Sequence, residues 1–260
     1  MLAAPAAWRQ WEWGYLLGRV YPEEMILATQ GVYHAVFTPD SQFAVTGGTG
    51  EIALWRLDTG GRVWRWQAAN RMHFWTVAIS RDGRWVLGAS RDNTATLLDA
   101  RTGEFVRQFK GHAEYLRGAD ISPDGRHAAT CGADDTLRLW NLETGELERT
   151  VPDFSADVYC VRFSPDSARV LTASLDGRAT LWSAATGEKL REFEGHGERV
   201  LSAVFSPGGD RVATAGTDRF LRVFDTETGT MLYEVENPGA YLHYADISPD
   251  SQWIATSDDK

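Results

Sequence analysis

One short motif returns at a fixed interval along most of the chain. A Ser-Pro-Asp tripeptide, or a near copy of it, occurs every 42 residues, beginning at Thr38, Ser80, Ser122, Ser164, Ser206 and Ser248. A strict period of roughly 40 to 45 residues is typical of folds in which one supersecondary unit is copied and each copy buries its apolar face against its neighbours. The period therefore predicts a row of similar units, and function must be sought on a surface that the units share.

The residues before each motif alternate in a way that predicts a β-strand. The position immediately before the motif is always large and apolar, and it holds Phe37, Ile79, Ile121, Phe163, Phe205 and Ile247. Two residues earlier the side chain is always small or β-branched. The motif itself suits a hairpin turn, and later turn signals include Asp92, Asp134, Asp176, Asp218 and a series of Thr-Gly pairs. Each unit is therefore predicted to be a four-stranded antiparallel meander.

The third unit carries the most complete set of signature residues. In order, these are Gly111-His112, Ile121-Ser122-Pro123-Asp124-Gly125, Thr130, Asp134 and Leu139-Trp140-Asn141. With this order and spacing the chain resembles the WD-repeat (tryptophan-aspartate repeat) β-propellers of bacterial type, over about residues 31 to 260. The resemblance implies an all-β propeller of four-stranded antiparallel blades, five complete and a sixth partial. The first unit departs from the pattern, because it is one residue short between Thr46 and Trp55.

The resemblance also gives four of these side chains a structural role. It implies a buried chain of hydrogen bonds that locks the blade, formed by His112, Thr130, Asp134 and Trp140. The same residue types could serve as a hydroxyl nucleophile with its base and orienting group. We favour the structural interpretation, because a half-satisfied polar network inside a blade is costly and a satisfied one adds rigidity. The fifth unit has Phe224 where the third has its tryptophan, so we expect that blade to be weaker.

Other motifs of catalysis are missing from the sequence. The histidines are dispersed, the two cysteines do not form a Cys-x-x-Cys motif, and no Gly-rich phosphate loop is present. We therefore predict no catalytic residue, no metal site, no cofactor and no enzymatic activity.

Composition narrows the class of partner and the compartment. A formal net charge of −10 disfavours nucleic acid, whose binding depends on Lys and Arg neutralising phosphates. Residues 1–7 lack a basic segment, and no apolar run approaches the roughly 20 residues that span a bilayer, so a membrane location is not expected. Cys131 and Cys160 suggest no disulfide framework, which favours the reducing cytoplasm.

The start of the first strand in each unit breaks the alternation. Six residues before the motif stands an apolar residue that the period of two would place on the opposite face, namely Val32, Phe74, Leu116, Val158, Val200 or Leu242. This odd offset predicts a β-bulge, which often re-aims side chains near functional rims. In a propeller these strand starts meet around one end of the channel. The flanking positions then give our candidates for binding a protein or peptide: Tyr33, Trp75, Tyr115, Arg117, Tyr159, Arg199, Tyr241 and His243.

Two alternatives stand beside this hypothesis. The large side chains could merely plug the channel. The propeller could also be the sensory or regulatory region of a larger bacterial signalling enzyme such as a Ser/Thr kinase, or carry a hydrolytic site in its channel. The abundance of Tyr, Trp and Arg favours a non-enzymatic interaction scaffold, since these residue types are enriched at binding hot spots.

The two ends of the chain lie outside the complete units. Residues 1–24 form a Trp-rich segment in which Trp8, Trp11 and Tyr15 share one helical face, which predicts a short helix. Met25 to Thr29 are typical of an outer strand, and residues 25–260 are assigned to the propeller. The sixth unit supplies only two strands before Lys260. We therefore expect either a fragment or an open ring that self-associates through the incomplete last blade.

Overall fold

The computed structural model describes residues 31–259, and within them the only regular elements are β-strands. In chain order they are β1 (Val32–Phe37), β2 (Phe43–Gly48), β3 (Glu51–Arg56), β4 (Arg62–Gln67), β5 (Phe74–Ile79), β6 (Trp85–Ser90), β7 (Thr94–Asp99), β8 (Phe105–Lys110), β9 (Leu116–Ile121), β10 (His127–Gly132), β11 (Leu137–Asn141), β12 (Leu147–Val151), β13 (Val158–Phe163), β14 (Arg169–Ser174), β15 (Ala179–Ser183), β16 (Lys189–Phe193), β17 (Val200–Phe205), β18 (Arg211–Gly216), β19 (Phe220–Asp225), β20 (Met231–Glu236), β21 (Leu242–Ile247) and β22 (Ile254–Asp258). The helix expected over residues 1–24 and the strand expected at residues 25–29 lie outside the described residues.

The strands form five four-stranded antiparallel sheets and one two-stranded sheet, as the repeat predicts. Each four-stranded sheet is a simple meander, and we call the six sheets blades one to six in chain order. The first strand of each blade packs on the first strand of the next, from β1 through β5, β9, β13 and β17 to β21. These six inner strands line a central channel with a cavity of about 440 Å³. The arrangement is that of a β-propeller.

The repeated motif is a hairpin turn closed by its own side chains. In blade two, Ser80 Oγ donates to Asp82 Oδ1 at 2.6 Å and accepts from Trp85 N at 2.9 Å. The backbone closes the same turn, because Gly83 N donates to Ser80 O. Equivalent bonds occur at Thr38, Ser122, Ser164, Ser206 and Ser248. The motif therefore sets the register between the first two strands of every blade.

The predicted β-bulges are confirmed in all six inner strands. The pairing of β1 with β2 shifts between Val32 and His34, so Tyr33 has no partner in the ladder. The corresponding shifts leave out Trp75, Arg117, Tyr159, Leu201 and His243. Each bulge turns one side chain away from the strand alternation at the same end of the channel, which we call the rim.

Apolar contacts between neighbouring blades form the core. Phe109 on the outer strand of blade two packs against Trp140 of blade three, with ring centroids 5.6 Å apart, and both are buried. Phe193 and Phe224 make the same contact between blades four and five at 5.3 Å. Val235 occupies the corresponding position in blade five but is 58% exposed, and within residues 31–259 blade six contributes only two strands beside it.

Side chains in the channel also join each inner strand to the next one. Thr76 Oγ1 donates to Arg117 O at 2.7 Å, Asp120 Oδ2 accepts from Phe163 N at 2.7 Å, and Ser202 Oγ accepts from Ala245 N at 3.1 Å. Weaker contacts of the same type start from His34 and Cys160. Every one of these contacts runs from a blade to its successor in the chain.

Candidate functional site

Arg117 lies at the centre of a group of aromatic side chains on the rim. Its guanidinium carbon is 4.8 Å from the ring centroid of Tyr115, 5.1 Å from that of Tyr159 and 5.9 Å from that of Trp75. These rings come from three successive blades. Trp75 and Tyr159 are bulged residues, and Tyr115 stands directly before the bulged segment of blade three. A cation over aromatic faces is attracted by their negative charge density.

Hydrogen bonds fix the position of the Arg117 side chain. Its Nη2 donates to Tyr115 Oη at 3.0 Å and to Asp157 Oδ2 at 3.3 Å. Asp157 belongs to blade four, so the ion pair crosses the boundary between two blades. Arg117 is therefore held in place before any partner arrives.

Tyr33 and His73 extend this group on the side of blade one. The ring of Tyr33 lies 4.6 Å from that of Trp75 and 5.3 Å from that of His73, and Tyr33 is 40% exposed. We use the name rim cluster for Tyr33, His73, Trp75, Tyr115, Arg117, Asp157 and Tyr159. Five of its seven members were predicted as binding residues from the sequence.

The sequence prediction missed His73 and Asp157. Both stand immediately before the apolar residue of the bulge, a position that holds Tyr115, Arg199 and Tyr241 in other blades. Because three of the predicted binding residues occupy this repeat position, the position itself could have indicated His73 and Asp157 as well.

The other three candidates are not part of the rim cluster. Arg199 and Tyr241 line a shallow groove together with Asp176, Glu198 and Thr217, and Tyr241 is 48% exposed. Among the described residues, no hydrogen bond or ring contact connects these two, or His243, with the rim cluster. Of the eight predicted residues, five therefore belong to the rim cluster, Arg199 and Tyr241 line a separate groove, and His243 belongs to neither.

The surface beside the rim cluster is acidic. Partial burial, together with repulsion from Asp157, Asp134 and Asp176, raises the pKa of Asp135. Four carboxylates, those of Asp134, Asp135, Asp157 and Asp176, are therefore gathered beside the rim cluster.

The chain of hydrogen bonds predicted for blade three is present. Trp140 Nε1 donates to Thr130 Oγ1 at 2.8 Å, Thr130 Oγ1 lies 2.7 Å from His112 Nε2, and His112 Nδ1 lies 2.9 Å from Asp134 Oδ1. Burial lowers the pKa of His112, although Asp134 opposes the shift. Burial disfavours the charge on Asp134, but its bonds with His112, Ala113 N and Thr136 lower its pKa to about 2. A neutral imidazole thus donates to a carboxylate and accepts from a hydroxyl.

Blade five contains the same histidine, threonine and aspartate but uses a different fourth member. Arg222 Nη1 lies 2.6 Å from Asp218 Oδ2, and Arg222 Nε donates to Glu234 Oε2 at 2.7 Å. The Arg222 side chain is only 6% exposed. The sequence predicts that blade five lacks the indole, because Phe224 replaces the tryptophan, but Arg222 was not predicted to join the network. Arg138 occupies the same repeat position in blade three, and this recurrence could have indicated a role for Arg222.

The described residues contain neither a candidate metal site nor a candidate membrane-spanning helix. Among residues 31–259, no group of three or more His, Cys, Asp or Glu side chains is placed to hold a metal ion. The same residues include no helix that is long and apolar enough to cross a membrane.

Comparison with known families identifies the repeat. The family model described as WD domain, G-beta repeat, matches residues 103–141, 145–183 and 187–225. Residues 103–225 thus contain three consecutive WD40 repeats. A search of curated proteins gave no match.

The matched repeats coincide with the most regular part of the propeller. Each match begins just before the outer strand of one blade and ends with the third strand of the next. Blade two departs from the pattern outside the matched region, since it has Gly88 where blade three has Thr130. A Cβ atom at Gly88 would lie 2.5 Å from Ile52 Cδ1, so close packing replaces the hydrogen bond there. WD40 propellers commonly act as interaction scaffolds for proteins and are generally non-enzymatic.

Proposed function

We propose that the protein is a non-enzymatic scaffold that binds a protein or peptide through the rim cluster. The contact of Arg117 with the rings of Trp75, Tyr115 and Tyr159 carries this proposal. Arg, Trp and Tyr dominate the energetics of protein interfaces when they are fixed in place and shielded from water. A partner that covers the cluster buries this apolar surface without first having to order it.

The geometry of blade three supports a scaffold over a hydrolase. Thr130 is fully buried, and its hydroxyl oxygen lies within hydrogen-bond distance of both Trp140 Nε1 and His112 Nε2. A nucleophile must reach its substrate, whereas this hydroxyl is enclosed by its own blade. The residues that resemble a catalytic set therefore hold the blade together.

Affinity capture from the source cell tests the proposal. The bait is the full chain, compared with a Trp75→Ala/Tyr159→Ala double variant and with a Tyr233→Ala/Trp253→Ala variant. Tyr233 and Trp253 are exposed aromatic residues on blades five and six, outside the rim cluster. We expect the first variant to lose the captured protein and the second to retain it. Equal capture by all three baits would rule out the rim cluster as the binding surface.

A further inference from the structure

Unpaired polar atoms are concentrated in the rim cluster. Among the described residues, five buried side-chain nitrogen or oxygen atoms have no hydrogen-bond partner, and three of them are His73 Nδ1, Trp75 Nε1 and Arg117 Nε. A buried polar atom without a partner typically costs about 1 to 3 kcal/mol, so such atoms are rare in native proteins. Three together in one cluster are hydrogen-bonding atoms that a ligand could pair with.

The chemistry of these atoms defines what the ligand must offer. The indole nitrogen of Trp75 and the Nε of Arg117 can only donate hydrogen bonds, and the histidine nitrogen can donate or accept. A ligand that satisfies the cluster must therefore bring acceptor oxygens. It needs few donors of its own, because Tyr115 Oη and Asp157 Oδ2 already accept from Arg117.

The charges around the cluster exclude two kinds of group. A cationic group would have to displace the Arg117 guanidinium from the aromatic rings, where it is held by Tyr115 and Asp157. An anionic group would approach Asp157 and the acidic surface around Asp135. Neutral carbonyl oxygens remain as the acceptors that fit.

Proline-rich segments present such carbonyls together with rings that pack on aromatic side chains. In the polyproline II conformation the backbone carbonyls are free and proline contributes no N–H group. Aromatic-lined surfaces recognise these segments because the conformation is formed before binding and little entropy is lost.

We propose that the rim cluster binds a proline-rich peptide segment in the polyproline II conformation, with backbone carbonyls accepting hydrogen bonds from Trp75 Nε1 and Arg117 Nε. This inference rests on the proposed function and names the partner's chemistry. Pyrrolidine rings pack on Tyr159 and on Tyr33 in its displaced position. The two donors are buried in the free protein, so a side chain must move aside. Tyr33 is partly exposed and contacts both Trp75 and His73, so its displacement uncovers Trp75 Nε1.

The test uses the full chain and a capped peptide of three Pro-Pro-Leu repeats. Titration calorimetry measures affinity, and NMR follows the indole N–H resonance of Trp75. We expect saturable binding with a shift of that resonance. The same peptide with every proline replaced by alanine, and versions with Glu or Lys in place of leucine, should bind at least tenfold more weakly.

A matched pair of substitutions separates the hydrogen bond from general packing. Trp75→Phe keeps an aromatic ring but removes the donor, and we expect the affinity for the Pro-Pro-Leu peptide to fall about fivefold to tenfold. Trp85→Phe makes the same change in blade two but at the end of the blade far from the rim, where Trp85 begins β6 and contacts Arg84. This variant should leave the affinity unchanged. Thermal unfolding confirms that both variants fold.

The results distinguish this inference from the proposed function. Absence of binding at millimolar peptide, equal binding of the alanine version, or an unchanged affinity in Trp75→Phe would each overturn the proline-rich partner. If the Trp75→Ala/Tyr159→Ala variant still loses its captured protein in that case, the scaffold function stands with a ligand of another class.

Discussion

Blades three and five solve the same structural problem with different side chains. Both join a histidine, a threonine and an aspartate within the blade. Blade three completes the chain with the indole of Trp140, whereas blade five has Phe224 there and adds Arg222 from the same strand. The comparison teaches that blades sharing a histidine, a threonine and an aspartate can complete the polar network with different side chains. It also makes blade five depend on a buried charge.

The largest expected effect comes from removing the aspartate in each blade. Asp218→Ala leaves the nearly buried guanidinium of Arg222 with Glu234 as its only carboxylate partner beside the His196 imidazole, so we expect a loss of about 3 to 5 kcal/mol in the free energy of unfolding. Asp134→Ala leaves a neutral histidine without its acceptor and removes only a longer ion pair of 3.8 Å with Arg138, so we expect a loss of about 1 to 3 kcal/mol. Urea unfolding of both variants at neutral pH measures the difference. Equal losses in the two variants would show that the buried charge of Arg222 does not make blade five more dependent on its aspartate than blade three.

Exchanging the aromatic residues tests whether blade five lacks a donor. Trp140→Phe removes a buried indole and its bond to Thr130, so we expect a loss of about 1 to 3 kcal/mol. Phe224→Trp should bring no gain, because Phe224 is already buried against Phe193 and a larger ring overfills the site. Chemical denaturation of the two variants provides the comparison. A gain in Phe224→Trp would restore the simpler view that blade five is weak for want of an indole.

Acid should weaken both blades through their histidines. Burial lowers the pKa values of His112 and His196 below 6.5, against the opposing effect of their aspartates. The unfolded chain then binds more protons than the folded one, so stability falls as the pH falls through about 6.5. Because the pKa of Asp134 is about 2, a further loss follows below pH 3.8. Unfolding free energies measured between pH 8 and pH 5 should decline, and the decline should be smaller in a His196→Gln variant. A pH-independent stability would contradict this account.

The smallest effect is expected at Glu234. This carboxylate pairs with Arg222 Nε at 2.7 Å, but its side chain is 42% exposed. Because solvent screens such a pair, Glu234→Gln should cost less than about 1 kcal/mol and reduce the dependence of stability on salt. Thermal unfolding at low and high salt measures both. If Glu234→Gln lowered the free energy of unfolding as much as Asp218→Ala does, Glu234 and not Asp218 would be the main partner of Arg222.

Much of the fold followed from the period of the sequence, because turn residues and alternating strands act locally. The bulges were predicted from the odd offset of residues such as Phe74, and the structure contains them at the expected positions. The division of the rim was not predictable in the same way. The division depends on contacts between side chains of different blades, such as the hydrogen bond from Arg117 to Asp157. Spacing along the sequence does not predict such contacts.

The contacts inside the channel have a direction that bears on synthesis of the chain. Thr76, Asp120 and Ser202 each bond to the backbone of the following blade, roughly one repeat later in the sequence. A blade that has just left the ribosome therefore completes its inner contacts only when the next inner strand emerges.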